Sequence, residues 1–221
     1  MTMPFAPTAG SLEAVDSARS HELGLAERHR WGDAEAFEEI YRDHSEMVYN
    51  LALRLAGDRE RAADLSQEVF LRIHRHLGKF RGRSSLKTWI YRVTVNHCRS
   101  RLARRRLLTR SIDAASMDSG ERGEREPPIV LTDPARNPEQ RAMAGDAEKV
   151  LQAALAELPV VFREAVVLRD LEDLAYDEIA EVLGARIGTV RSRIARGRGM
   201  LRDVLTRPAR DRVNDDEETT P

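Results

Sequence analysis

Six arginines and no acidic residue lie between positions 186 and 202. Arg186, Arg191, Arg196 and Arg198 share that stretch with Thr189 and Ser192. The chemistry open to such a set is recognition of an anion: guanidinium groups pair with phosphates and reach the guanine acceptors in the DNA major groove. Gly184 separates two short apolar faces at helical spacing, Ile179, Ala180 and Leu183 before it and Val190, Ile194 and Leu201 after it. Helix, glycine turn and basic helix make the helix-turn-helix pattern, whose second helix enters the major groove. A merely solvated face carries mixed signs, and this one does not. Arg186 is a poor capping residue for that helix. Gly197 and Gly199 each cost about 1 kcal/mol of helix propensity, so the far end is expected to fray.

A second basic surface spans residues 72–110, where Arg72, Arg75, Arg81, Arg83, Lys87, Arg92, Arg99 and others follow one another with no Asp or Glu between them. Such charge repels itself unless an anion lies against it. Phe80, Trp89 and Tyr91 interleave, which suits single-stranded nucleic acid, where bases stack while phosphates are neutralised. Trp89 fits a core position equally well. Upstream the sign reverses: Asp64, Gln67 and Glu68 share one helix face, either a solvated face or a docking surface for another protein's helix. His74, His76, His97 and Cys98 are the one combination resembling a metal cluster, and their arginine neighbours are hostile to a cation. The sequence contains no glycine-rich phosphate loop and no nucleophile-base arrangement, so neither an enzyme nor a cofactor is expected.

Helices must position these residues. The chain has 221 residues, 41% hydrophobic and 33% charged, with net charge -1, so its basic surfaces are offset elsewhere. Cys98 is the single cysteine, which excludes an intrachain disulfide. The N-terminus lacks the layout of a signal peptide and no apolar run is long enough for a membrane, so a cytoplasmic protein without membrane insertion is expected. Residues 1–20 are rich in Ala, Ser, Thr and Pro and read as a disordered extension. Apolar residues then recur at three- and four-residue steps over 21–110, with breaks at Gly57-Asp58 and over 77–85. Periodicity vanishes over 111–138, which predicts a flexible linker. It returns over 139–206, and 207–221 reads as a disordered acidic tail. The fold expected is all-α: two small helical domains joined by a flexible linker, the C-terminal one containing the helix-turn-helix.

Several stretches, in order, resemble the extracytoplasmic-function (ECF) sigma factors of the sigma-70 family, which are bacterial transcription initiation factors. Asp64-Leu-Ser-Gln-Glu-Val-Phe is similar to the family's polymerase-docking helix. The stretch from Phe80-Arg-Gly-Arg-Ser-Ser to Asn96-His-Cys-Arg is similar to its promoter-melting, minus-ten segment. Leu158-Pro-Val-Val-Phe-Arg and Gly188-Thr-Val-Arg-Ser-Arg-Ile are similar to its minus-thirty-five module. The resemblance covers about residues 30–108 and 145–206. It implies that 21–110 is the region 2 domain and 139–206 the region 4 domain. Asp64, Gln67 and Glu68 would contact the clamp helices of the polymerase largest subunit, with the beta flap as a further polymerase contact. Phe80, Arg81, Gly82, Arg83 and Ser84 would form a loop capturing a flipped non-template base, with Lys87, Trp89, Arg92, Asn96 and Arg99 beside it. Arg83 departs from relatives that carry an acidic or small residue there. Arg186, Thr189, Arg191, Ser192, Arg196 and Arg198 would face the minus-thirty-five duplex. An anti-sigma partner is implied as well. A stand-alone duplex-binding regulator is the alternative, and it leaves the 72–110 surface without a task.

Overall fold

A computed structural model describes residues 9–112 and 138–207, with side chains over 17–105 and 146–207. The described residues are helical, with no strand among them. Four helices form the first module: α1 (Ala9–Arg30), α2 (Ala34–Ala56), α3 (Arg59–His76) and α4 (Leu86–Ile112). Four more form the second: α5 (Pro138–Glu157), α6 (Val160–Val166), α7 (Tyr176–Leu183) and α8 (Ile187–Thr206).

Local chemistry sets these boundaries. Asp33 caps α2 by accepting from Glu35 N at 2.9 Å, and Asp58 caps α3 by accepting from Arg61 N at 2.8 Å. Gly57 ends α2 with φ 78°, a left-handed conformation that glycine adopts without strain. Pro159 precedes α6, where its missing N–H deprives no helical hydrogen bond. The end of α6 widens over residues 167–171, where Glu172 N donates to Val167 O five residues back.

Two expectations change. Residues 9–20 belong to a helix rather than a disordered extension, because α1 continues unbroken from Ala9 to Arg30. Its later part is anchored by the buried Leu25 and Ala26. The helices also reach into the expected linker, α4 to Ile112 and α5 from Pro138. The expected flexible stretch at 113–137 and the acidic tail at 208–221 lie outside the described residues. The two modules also share a core, which sequence spacing does not address. One apolar cluster joins Leu51, Leu55, Leu65, Tyr91, Val95 and Cys98 of the first module to Leu155, Val166, Leu168, Ile179, Val190 and Ile194 of the second. A second cluster, with Ile40, Val48, Val69, Ile73, Leu77, Phe80, Leu86 and Ile90, stays within the first.

Candidate nucleic-acid interface

The helix-turn-helix is assembled as its spacing predicts. Gly184 turns α7 with φ 60° and open space around it. Ile179, Val182, Leu183, Val190 and Ile194 are buried beneath. Arg186, Thr189, Arg191, Ser192, Arg196 and Arg198 are all exposed. No side chain caps α8 at Arg186, which leaves its first backbone amides facing outward. Arg191 lies over the Tyr176 ring, 5.8 Å from its centroid. Arg198 differs from its neighbours, since Asp170 holds it through two hydrogen bonds of 3.0 and 2.5 Å. Gly197, read from sequence as a fraying liability, has a packing reason. A Cβ there would lie 2.5 Å from Val166 Cγ2 and 3.1 Å from the Phe162 carbonyl, so α8 crosses α6 where only glycine fits. Gly199 has no such neighbour.

The first basic surface is built differently. The 80–85 loop is pinned at both ends. Phe80 is buried, with its ring 5.8 Å from the partly buried Trp89, and so anchors the loop to the bundle. Ser85 Oγ accepts from Thr88 N at 3.0 Å and caps α4. Between these ends Gly82 is buried at φ 62°, while Arg81 and Arg83 are exposed and Ser84 is half-buried. Beyond the loop, Lys87 and Asn96 are exposed on α4.

One face of α4 is occupied by carboxylates of the second module. Thr88 Oγ1 donates to Glu178 at 3.3 Å and Tyr91 Oη donates to Glu172 at 2.8 Å. Arg92 pairs with Glu181 at 3.3 Å. Arg99 makes a bidentate pair with the buried Glu164 at 2.8 and 2.5 Å. Arg54 of α2 reaches Glu172 as well, at 2.5 Å. The anion that the 72–110 charge run demands is therefore present within the chain. Glu178 also accepts from Ala175 N at 2.9 Å, so it caps α7 while touching α4. The buried Arg163 completes the seam by donating to the carbonyls of Leu55, Ala156 and Leu158.

On α3, Asp64 and Gln67 are exposed and Glu68 is half-buried. It accepts from His97 Nε2 and from Arg101 Nε, each at 2.6 Å. Burial and the neighbouring Arg72 hold His97 below the ordinary histidine pKa. His74 instead meets the rings of His29 and Phe37, and Cys98 is packed in the shared core. Burial pushes the Cys98 thiol up to about 12. Among the described residues no His, Cys, Asp and Glu side chains converge as a metal site. No described helix is long and apolar enough to cross a membrane.

Residue reasoning missed Glu164, Glu172, Glu178, Glu181 and Arg163. Each reads as an ordinary helical surface charge, and only the meeting of the two modules gives it a partner. Ser85 was findable, because a serine directly before an apolar helical run is an N-cap signal.

The sigma-70 region 2 family model matches residues 40–107, and the sigma-70 region 4 model matches residues 148–201. The ECF RNA polymerase sigma factor SigE of Mycolicibacterium smegmatis is 39% identical over 78% of this chain and 62% of its own length. RNA polymerase sigma-H factor of Pseudomonas aeruginosa is 32% identical over 82% of this chain and 92% of its own. The ECF sigma-E factor of Escherichia coli strain K12 is 34% identical over 79% of this chain and 88% of its own. Among solved structures, the sigma factor RpoE of Bartonella quintana, in complex with the anti-sigma factor NepR, shares the fold with a TM-score of 0.59 at 21% identity. That match covers 79% of this chain and 99% of that one. CnrH in complex with the cytosolic domain of CnrY gives 0.56 at 20% identity over 85% and 96%. The matched spans place α2 to α4 in region 2 and the helix-turn-helix in region 4, and with relatives aligned along most of their length they show that this chain belongs to the ECF sigma factors of the sigma-70 family, acting in transcription initiation.

Proposed function

We propose that this chain directs core RNA polymerase to its promoters by reading the minus-thirty-five duplex with α8 and capturing a non-template base of the minus-ten element at the 80–85 loop. The observation that carries this reading is the pairing of an open arginine face on α8 with a rigidly anchored, arginine-bearing loop in front of α4. Thr189, Arg191, Ser192 and Arg196 stand where base edges and phosphates lie when α8 enters the major groove. Arg81, Arg83 and Ser84 surround the backbone turn at Gly82, and Lys87 and Asn96 extend the surface along α4 toward single-stranded DNA. Separating stacked base pairs costs roughly 1–2 kcal/mol per step. A protein without ATP chemistry supplies that energy by binding the open strand better than the duplex. A captured base gives such selectivity, because a duplex does not present it. Asp64 and Gln67 on α3 are the docking residues for the clamp helices of the polymerase largest subunit, while Glu68 braces α3 against α4. The beta flap is a further contact for the second module, and an anti-sigma factor is a partner that competes with polymerase.

The covered face of α4 gives this reading a sequence of events. Arg92 and Arg99 cannot meet DNA while Glu181 and Glu164 hold them, so the modules part when polymerase is bound, and its two docking contacts offset the loss of the shared core.

Run-off transcription with purified bacterial core polymerase on a pool of promoter fragments tests the proposal. Transcripts that depend on the protein, with start sites sharing two spaced elements, are expected. Their absence, together with tight specific duplex binding by the protein alone, would replace it with a stand-alone regulator.

A further inference from the structure

We infer that α1 is a positioning element for the base-capturing loop, with Arg19, Glu22 and Leu23 holding the loop backbone in the shape that presents Arg83 and Ser84. The inference rests on the base-capture reading of the loop.

The three residues lie at i, i+3 and i+4 of α1 and therefore on one helix face. Arg19 donates a side-chain hydrogen bond to the carbonyl of Gly82 at the loop's centre. Leu23 lies against Gly82 so closely that a Cβ there would meet its methyl groups at 3.0 and 3.2 Å. Glu22 accepts from Leu86 N, the first residue of α4, at 2.9 Å. A carboxylate at that place satisfies an amide with no intrahelical partner and matches the positive end of the helix dipole. The other end of α1 holds the chain where it enters the loop. Arg30 donates twice to Gly78 O, at 2.6 and 3.0 Å, and His29 bonds to His74 O at 2.9 Å. Thus α1 spans from the end of α3 to the start of α4 and grips backbone at each station.

The loop has little else to fix it. Its own anchors are Phe80 and Ser85 at its ends, and Arg81 folds back on the carbonyls of Gly78 and Phe80. Gly82, the one residue with positive φ in the loop, has its carbonyl held from outside by Arg19. Backbone contacts of this kind constrain loop shape whatever side chains the loop carries. They also leave the outward residues free for DNA. Glu22 and Arg19 touch no base in this reading, and they act through the loop.

The test uses holoenzyme reconstituted with bacterial core polymerase on a promoter carrying 2-aminopurine at the captured minus-ten position. Glu22→Ala and Arg19→Ala are expected to lower open-complex fluorescence on duplex promoter by about fivefold each, the scale of one lost capping bond. Core affinity and minus-thirty-five fragment affinity stay at the unsubstituted values, and the melting temperature falls by no more than about 4 °C, as one lost cap costs. Glu22→Gln, which keeps an acceptor oxygen for Leu86 N, restores most of the signal. Unchanged opening with Glu22→Ala and Arg19→Ala, when Arg83→Ala with Ser84→Ala abolishes it, overturns the positioning role and leaves base capture standing. Unchanged opening with the loop double variant overturns base capture and this inference together. A Glu22→Ala protein that loses core affinity and melting temperature in the same proportion as opening would show a general folding role and overturn the inference too.

Discussion

Two basic helices, α4 and α8, meet opposite fates. On α8 the arginine face is complete and open: Arg186, Arg191 and Arg196 are exposed on a support of buried Ile179, Val190 and Ile194. On α4 the corresponding surface is covered, with Arg92 and Arg99 paired to Glu181 and Glu164 of the other module. On the proposed function, the difference matches what each surface would read. Duplex DNA offers its edges at all times, so a duplex reader can stand ready. Single-stranded promoter DNA exists only after melting, and a strong single-strand surface left open would bind other nucleic acid without discrimination. Covering α4 with its own chain's carboxylates offers the same charge complementarity in the meantime.

The seam between modules is where this contrast breaks most readily. Arg163→Ala leaves the carbonyls of Leu55, Ala156 and Leu158 without their buried donor, and a loss on the order of 3 kcal/mol is expected in thermal unfolding. A melting curve indistinguishable from the unsubstituted protein would mean that the seam does not hold the modules together. Within the second module, Gly197→Ala should cost about 1–3 kcal/mol from overpacking against Val166 and Phe162. Gly199→Ala, with open space, should instead stabilise by up to about 1 kcal/mol. Equal and favourable effects in denaturant titrations would remove the packing explanation.

The readers themselves sharpen the contrast. Arg191→Ala should weaken binding to a minus-thirty-five duplex by about 1–3 kcal/mol, concentrated at one base pair. The free protein should already show that effect, whereas Arg99→Ala should alter promoter opening only once polymerase is bound. A uniform loss across sequences would reassign Arg191 to phosphate. The smallest change is expected for Arg198→Ala, whose exposed pair with Asp170 is worth about 0–1 kcal/mol.

Cys98 reports on the seam without substitution. Its thiol lies in the shared core with its pKa pushed up to about 12, so almost no thiolate is present at pH 7.5. Alkylation should be slow in the free protein and faster in holoenzyme. Equal rates in both would argue that the modules stay packed on polymerase.

Much of this architecture is legible in the sequence, and the reason is local. The turn at Gly184, the caps at Asp33 and Asp58 and the apolar spacing of α3 and α8 depend on residues within a few positions of one another. Phe80 is less legible. An aromatic in a basic loop reads as a stacking residue, and its burial against Trp89 is a matter of how α4 folds back on the bundle. Tyr41 shows the converse: it sits at core spacing on α2 yet is 51% exposed, with its ring resting on Phe70 at the surface.

The sequence by itself determined the two modules, their helices apart from the first half of α1, the arginine face of α8 and the family, because periodicity and motif order are written in short stretches of chain. Only the tertiary structure decided which charges are covered. Glu164 lies 65 residues from Arg99, and Glu22 lies 64 from Leu86. No local pattern marks such partners, since helix faces meet across distances in sequence that spacing does not encode, and an exposed glutamate and a masking glutamate differ only in what packs against them.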